Sequence, residues 1–170
     1  MSKPTFTLRP ATAADSETLF NLILALAEYE KLTHLVEATP HKIEAALFGA
    51  TPHAEAVLVE VDAEVDGKAG RKAVGFALFF HNFSTFLAKP GLYLEDLYVD
   101  PAWRGHGLGK ALLKHLAALA VERGCGRFEW SVLDWNQPSI DFYQAMGADV
   151  LPDWRICRVT GAALDRLGAK

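Results

Sequence analysis

The stretch LYLEDLYVDPAWRGHGLGKALLKHL, residues 92–116, decides the fold of this chain. Its first part, LYLEDLYVD, reads as an apolar strand interrupted only by Glu95 and Asp96 and ended by Asp100-Pro101. Leu108, Leu112, Leu116 and Leu119 then recur at helical spacing and mark one face of a long helix that stops at Gly124. Between strand and helix lie Gly105, Gly107 and Gly109, followed by Lys110. Glycines there let the backbone turn tightly and aim successive N–H groups at a ligand, while the helix adds its positive N-terminal end. Such a turn suits an anion, most naturally a phosphate. A glycine-rich turn with no ligand is the plain alternative.

Working outward, TFTLRPA (residues 5–11) alternates like a short strand, and Asp15 precedes Leu19, Leu22, Ile23 and Leu26 at helical spacing. ATPHKIEAALFG (38–49) predicts a shorter helix capped by Thr39, with Pro40 in its first turn and Gly49 beyond its end. EAVLVEVD and AVGFALFF read as strands joined by an exposed hairpin loop, AEVDGKAGRK. The second is apolar on both faces, which suits a central strand. HNFSTFLAKPG (81–91) reads as a loop rich in aromatics. After the long helix, RFEWSVLD predicts a strand, QPSIDFYQAMG a helix, WRICRVT a last strand, and GAALDRL a short C-terminal helix. The order implies an α/β fold, antiparallel early, with a parallel crossover over residues 92–134.

The 170 residues suit one compact domain, 1–170, with a real core and no visible linker. Seventeen basic against 21 acidic residues give a net charge of −4 without any basic block, which argues against a nucleic-acid or membrane surface. Cys125 and Cys157 lack metal spacing, so no metal site is expected and both read as small buried hydrophobes in a reducing compartment. No apolar run resembles a signal peptide or approaches the roughly 20 residues of a membrane span. The chain is therefore expected to be soluble and cytoplasmic.

Three motif readings compete for the glycine loop. A Walker loop needs GxxxxGK followed by Ser or Thr, but only three residues separate Gly105 from Gly109 and Ala111 follows the lysine. A dinucleotide fingerprint GxGxxG fails at Lys110. The third pattern, [QR]xxGx[GA], is met by Arg104, Gly107 and Gly109. With it, the loop resembles the pyrophosphate loop of the GNAT superfamily of acetyl-CoA-dependent N-acetyltransferases. LYLEDLYVDPAWRGHGLGKALL and VLDWNQPSIDFYQAMGA resemble its polyamine branch, the spermidine/spermine acetyltransferases and their thialysine-acetylating relative. RPATAAD and LALAEYEKL are similar too, so the resemblance covers nearly the whole chain. It implies a GNAT fold: a mixed, mostly antiparallel sheet whose central parallel strand pair splays around acetyl-CoA, with helices on both faces.

Acetyl transfer to an amine needs a neutral nitrogen, a polarised thioester carbonyl and a proton for the leaving thiolate. An alkylammonium is free amine in only about one molecule in two thousand at pH 7, so a base must help, directly or through water. Glu95 and Asp96 are the candidates, yet in a regular strand they point to opposite faces unless a bulge intervenes. By resemblance Glu95 is the base and an amine contact; Asp96 reads as an amine-binding carboxylate, with a structural charge as the equal alternative. Tyr143, an ordinary core aromatic by periodicity, is by resemblance the general acid beside the coenzyme sulfur, and a phenol has a suitable pKa.

The resemblance also assigns coenzyme contacts: backbone groups of Leu97, Tyr98 and Val99, the loop Arg104, Gly105, His106, Gly107, Leu108, Gly109 and Lys110, and the segment Asn136, Gln137, Pro138 and Ser139. Lys110 reads equally as a solvated charge and Asn136 as a helix cap. Tyr29 and Glu30, Ser84 and Phe86, and Glu129, Trp130 and Ser131 join Glu95 and Asp96 as substrate-binding residues, while Glu28 and Glu30 read almost equally well as a solvated helix face. Glu28 stands where the polyamine enzyme has a basic residue, and Ser84 and Phe86 where it has an acid and a tryptophan. One carboxylate fewer favours a short amine, or an amino acid with an aminoalkyl side chain, over a long polycation. A homodimer is implied. Two rivals stay open: a non-catalytic acetyl-CoA-binding regulatory module, and an acetyltransferase acting on protein amines.

Overall fold

A computed structural model describes residues 4–65 and 67–169, which form two compact units divided after Ser131. The first contains β1 (Phe6–Pro10), α1 (Ser16–Glu30), α2 (Pro40–Phe48), β2 (Glu55–Val65), β3 (Lys68–Ser84), β4 (Lys89–Val99), α3 (Leu108–Glu122) and β5 (Arg127–Trp130). Its five strands pair in sequence order, antiparallel from β1 to β4 and parallel between β4 and β5, with α3 as the crossover.

Alternation along the central strands sorts side chains to two faces. Leu58 is opposite Phe76 and Phe76 opposite Tyr98, and these pack with Leu19 and Leu26 of α1 and Ile43 and Leu47 of α2. The intervening Val57, Val59, Ala77, Phe79, Leu92 and Leu94 are buried on the other face, where α3 brings Leu108, Leu112, Leu113 and Leu116. Burying one such large side chain is worth about 1.5–3 kcal/mol. A one-residue slip would reverse both faces, so the register is firmly set.

Two predicted loops are mostly ladder. The charged stretch 63–72 continues the β2–β3 pairing to Val65 opposite Lys68, leaving Gly67 (φ 75°) at the turn and residue 66 outside the described residues. Arg71 supports this hairpin through Asp62 (3.3 Å) and the Glu60 carbonyl (3.0 Å), cross-strand contacts that composition does not reveal. In the aromatic stretch 81–91, β3 runs to Ser84 and β4 starts at Lys89, so only four residues turn, with Ala88 at φ 50°.

The caps follow the sequence in α2, where the Thr39 hydroxyl accepts from the Lys42 N–H at 3.2 Å. At α1, Asp15 stands at the cap position but its side chain makes no cap bond. It accepts two 2.7 Å hydrogen bonds from Arg9 of β1 and one each from the Thr12 N–H and hydroxyl. That paired guanidinium holds the Asp15 carboxyl well below the usual carboxylate range.

The second unit holds α4 (Gln137–Ala145) and α5 (Gly161–Gly168). Gly147 (φ 93°) follows α4, and the Ala148 N–H returns to the Tyr143 carbonyl at 3.1 Å, a left-handed helix stop. The strand expected at 154–160 is not formed: alternating apolar residues there find no ladder partner among the described residues. Cys157 lies in this segment and is exposed, whereas Cys125 is half-buried, which corrects the expectation that both are buried. No described helix is long and apolar enough to cross a membrane.

Candidate active site

The two adjacent carboxylates of β4 sit at a β-bulge. Phe79 pairs with Leu94 and Leu78 with Asp96, leaving Glu95 as the extra residue. The bulge shifts the alternation, so Asp96 shares the α1-side face with Tyr93 and Tyr98, and Glu95 follows Tyr93 onto that same face. Glu95 is exposed and Asp96 half-buried. Burial, then the charges of Glu95 and Glu30, push the Asp96 carboxyl up to about 6. Burial also raises Glu30, the last residue of α1. Among the described residues no ion pair joins Glu30, Glu95 or Asp96 to a cation, an arrangement that favours an incoming ammonium.

The bulge also marks where the sheet opens. β5 pairs with β4 only from Gly91 to Leu94, so from Glu95 to Val99 the second edge of β4 carries no ladder among the described residues. This edge includes the backbone of Leu97, Tyr98 and Val99 and can accept an added extended chain. Just beyond it, Gly105 (φ 79°) and Gly107 (φ 88°) take left-handed conformations, and space is open where their side chains would stand. The first helical bond of α3 runs from the Ala111 N–H to the Gly107 carbonyl, so the N–H groups of Leu108, Gly109 and Lys110 precede the helix's own ladder. Gly109 is already helical, so two glycines make the turn where three were expected. Leu108 anchors the helix in the core, His106 is half-buried, and Lys110 is exposed.

Arg104 points elsewhere than composition suggests. Its Nε donates to the Val99 carbonyl at 2.9 Å, and its guanidinium carbon lies 4.6 Å from the Tyr29 ring centroid and 5.8 Å from that of Tyr98. Tyr29 is thereby drawn to the end of β4, next to Glu30.

Further along the same face, Glu129 accepts from Asn82 Nδ2 at 2.6 Å and pairs with Arg127 at 3.2 Å. Ser131 Oγ shares a 2.8 Å hydrogen bond with the Tyr93 hydroxyl, whose ring packs on Phe80. Trp130 lies on the opposite face and packs on Phe128, centroids 4.9 Å apart. Ser84 is buried, its hydroxyl accepting from the Leu87 N–H inside the β3–β4 turn, while Phe86 at the tip is fully exposed. Ser84 is thus occupied by the turn.

In the second unit, Asn136 occupies the N-cap of α4 without a side-chain cap bond, and its carbonyl accepts from the N–H groups of Ser139 and Ile140. Pro138 lies in the first turn, and Gln137 Nε2 donates to Asp141 Oδ1 at 2.6 Å. The Tyr143 ring lies 5.3 Å from that of Phe142.

The model of the Acetyltransferase (GNAT) family matches residues 18–148, which run from α1 through α4. The chain belongs to this family. Among its relatives, the L-ornithine N5-acetyltransferase of Arabidopsis thaliana is 35% identical, the match covering 94% of this chain and 86% of that protein. The thialysine N-epsilon-acetyltransferase of Bos taurus is 35% identical, over 96% of this chain and 97% of that protein. An integron cassette protein from the mobile metagenome of V. cholerae shares the fold at a TM-score of 0.77 and 22% identity, covering 97% of this chain and 98% of its own. The GNAT family catalyses acetyl transfer from acetyl-CoA, and the relatives named here are N-acetyltransferases of small molecules. Against this GNAT frame, sequence reasoning did not single out Asn82 and Tyr93, which hold Glu129 and Ser131. The signal was present for Tyr93, two residues before Glu95 on a strand.

Proposed function

We infer that this GNAT chain transfers the acetyl group of acetyl-CoA directly to the terminal amine of a small amino acid with an aminoalkyl side chain. The observation that carries the reading is the β4 bulge, which turns Glu95 onto the face of Asp96 at the point where β4 parts from β5. The names of the ornithine- and thialysine-acetylating relatives support the acceptor class. So does the employment of Ser84 inside a turn, where a long polycation would need a further carboxylate. Diamines and polyamines are the second acceptor class.

The residues present fit the coenzyme: an unladdered strand edge for the pantetheine amides and a left-handed glycine turn at a helix N-terminus for the pyrophosphate. Acetyl-CoA supplies the activated acyl group. Asp96 and Glu30 hold the ammonium, Glu95 takes its proton, directly or through water, and a backbone N–H of the β4 edge polarises the thioester carbonyl. Tyr143 donates its phenolic proton to the departing sulfur, a role supported by the resemblance of NQPSIDFY to the family's acid-bearing segment. Asn136, Gln137, Pro138 and Ser139 contribute coenzyme contacts on the same ground. Glu129 and Ser131 face the acceptor's far end, and Trp130 supports them from behind. We extend the reading to one N-acetyltransferase domain over 1–170, because the family match crosses the boundary at Ser131. The two free cysteines support a reducing, cytoplasmic setting, and the exposed Phe83, Phe86 and Leu87 at one hairpin tip support a homodimer.

The test pairs two variants. Glu95→Gln lowers kcat by about 10²-fold or more and flattens the acidic limb of the rate profile, the loss expected for a general base. Tyr143→Phe keeps acetyl-CoA affinity, measured by calorimetry, while losing most turnover. An unaltered pH profile in the first, or unchanged turnover in the second, removes that residue from the mechanism.

A further inference from the structure

One side chain joins three parts of the site. Arg104 immediately precedes the left-handed Gly105 and ends the short turn Pro101–Trp103, which Asp100 caps through the Ala102 N–H at 2.9 Å. Its Nε donates to the Val99 carbonyl at the end of β4, and its guanidinium carbon lies over the Tyr29 ring at the end of α1. A planar guanidinium can hydrogen-bond along its edge and stack on a ring with its face at once, which a lysine ammonium cannot do. Lys110 is exposed in the first turn of α3.

We propose that Arg104 is a positioning residue that couples the coenzyme loop to the amine-side end of α1, so that ordering the loop fixes Tyr29 and, with it, Glu30. The link is short. Arg104 is bonded through the backbone to Gly105, and Tyr29 to Glu30, whose charge Asp96 feels. Past Glu30 the chain leaves the helix through Lys31 in a left-handed conformation (φ 62°), and the Leu32 N–H returns to the Ala27 carbonyl at 2.8 Å, so the last turn of α1 is closed by its own backbone and Tyr29 and Glu30 are held in one unit. The inference rests on the reading of the glycine loop as the coenzyme site and names the route by which that site acts on the amine side.

Hydrogen exchange of the intact chain, with and without acetyl-CoA, tests the coupling independently of turnover. In the wild type, the coenzyme protects the amides of residues 105–111 and also those of 28–32. In Arg104→Lys, which keeps the charge, protection of 105–111 persists and that of 28–32 is lost. Tyr29→Leu gives the same loss, and Tyr29→Phe, which keeps the ring face, restores it. Kinetically, Arg104→Lys raises the KM for the amine about tenfold with the acetyl-CoA affinity changed less than threefold. Adding Tyr29→Leu to it makes matters no worse, as expected for partners in one contact. Protection of 28–32 that survives in Arg104→Lys, or a defect of Arg104→Ala confined to acetyl-CoA affinity and absent from Arg104→Lys, overturns the proposal and makes Arg104 a phosphate cation. If the wild type binds acetyl-CoA but acetylates no amine, the proposed function fails, and the exchange data still decide the coupling.

Discussion

Asp96 shows how burial sets the chemistry of one residue. Its carboxyl is pushed up to about 6, so between pH 4 and 6 the folded chain holds a proton that the unfolded chain has released. Stability from this group is present at low pH and lost as pH rises through 6. Asp96→Asn therefore stabilises the fold at pH 7.5, by up to about 3 kcal/mol, the equivalent of the shift from 3.8 to about 6, and urea denaturation at pH 4, 6 and 7.5 measures it. The same variant raises the KM for the amine tenfold or more. In the wild type that KM climbs as pH falls below 6, because the protonated carboxyl no longer attracts an ammonium. Equal stability at all three pH values, or an unchanged KM, would contradict this account of Asp96.

At the scale of elements, the strand–loop–helix of residues 92–116 was legible because apolar alternation, Asp-Pro and a leucine face at helical spacing agree with one another. The acidic pair was legible as chemistry, but its arrangement was not. A bulge is a property of two paired strands, and residues 78 and 79, which lie across from it, carry no local mark. Hairpin lengths were underestimated for the same reason, since Arg71 reaches Asp62 and Glu60 only across the ladder. Arg104 was assigned to phosphate from its place in a motif, and its stacking on Tyr29, 75 positions earlier in the chain, is tertiary.

The join of β1 to α1 carries its own prediction. Asp15, its side chain 12% exposed, is held in its charged form by Arg9 and Thr12, and its contribution is fully present above the ordinary carboxylate range, begins to fall below about pH 4 and is lost only as pH falls through the lowered pKa of the folded state. Asp15→Asn costs about 1–2 kcal/mol at pH 7, less than a fully buried charged hydrogen bond because Arg9 is over a third exposed to solvent. Thermal unfolding followed at pH 7 and pH 3 checks it: the gap between the variant and the wild type narrows at the lower pH without closing, and a gap of equal size at both would assign the loss to packing.

At the scale of the whole molecule, the fold places a carboxylate cluster, an open strand edge and a glycine turn along one strand-to-helix connection. The family assignment supplies the acyl donor, and the site's charge supplies the kind of acceptor. A non-catalytic coenzyme-binding module would need the glycine turn and the strand edge but not three carboxylates beside them. An enzyme acting on protein amines would need no cluster of carboxylates such as Glu30, Glu95 and Asp96. The most direct test is release of free coenzyme A from acetyl-CoA by the purified chain against L-ornithine, thialysine, lysine, diaminopropane, spermidine and a lysine-containing peptide. The account predicts amine-dependent release, greatest with the amino acids and weakest with the peptide. Release that no amine stimulates, or that spermidine or the peptide stimulates most, would contradict it.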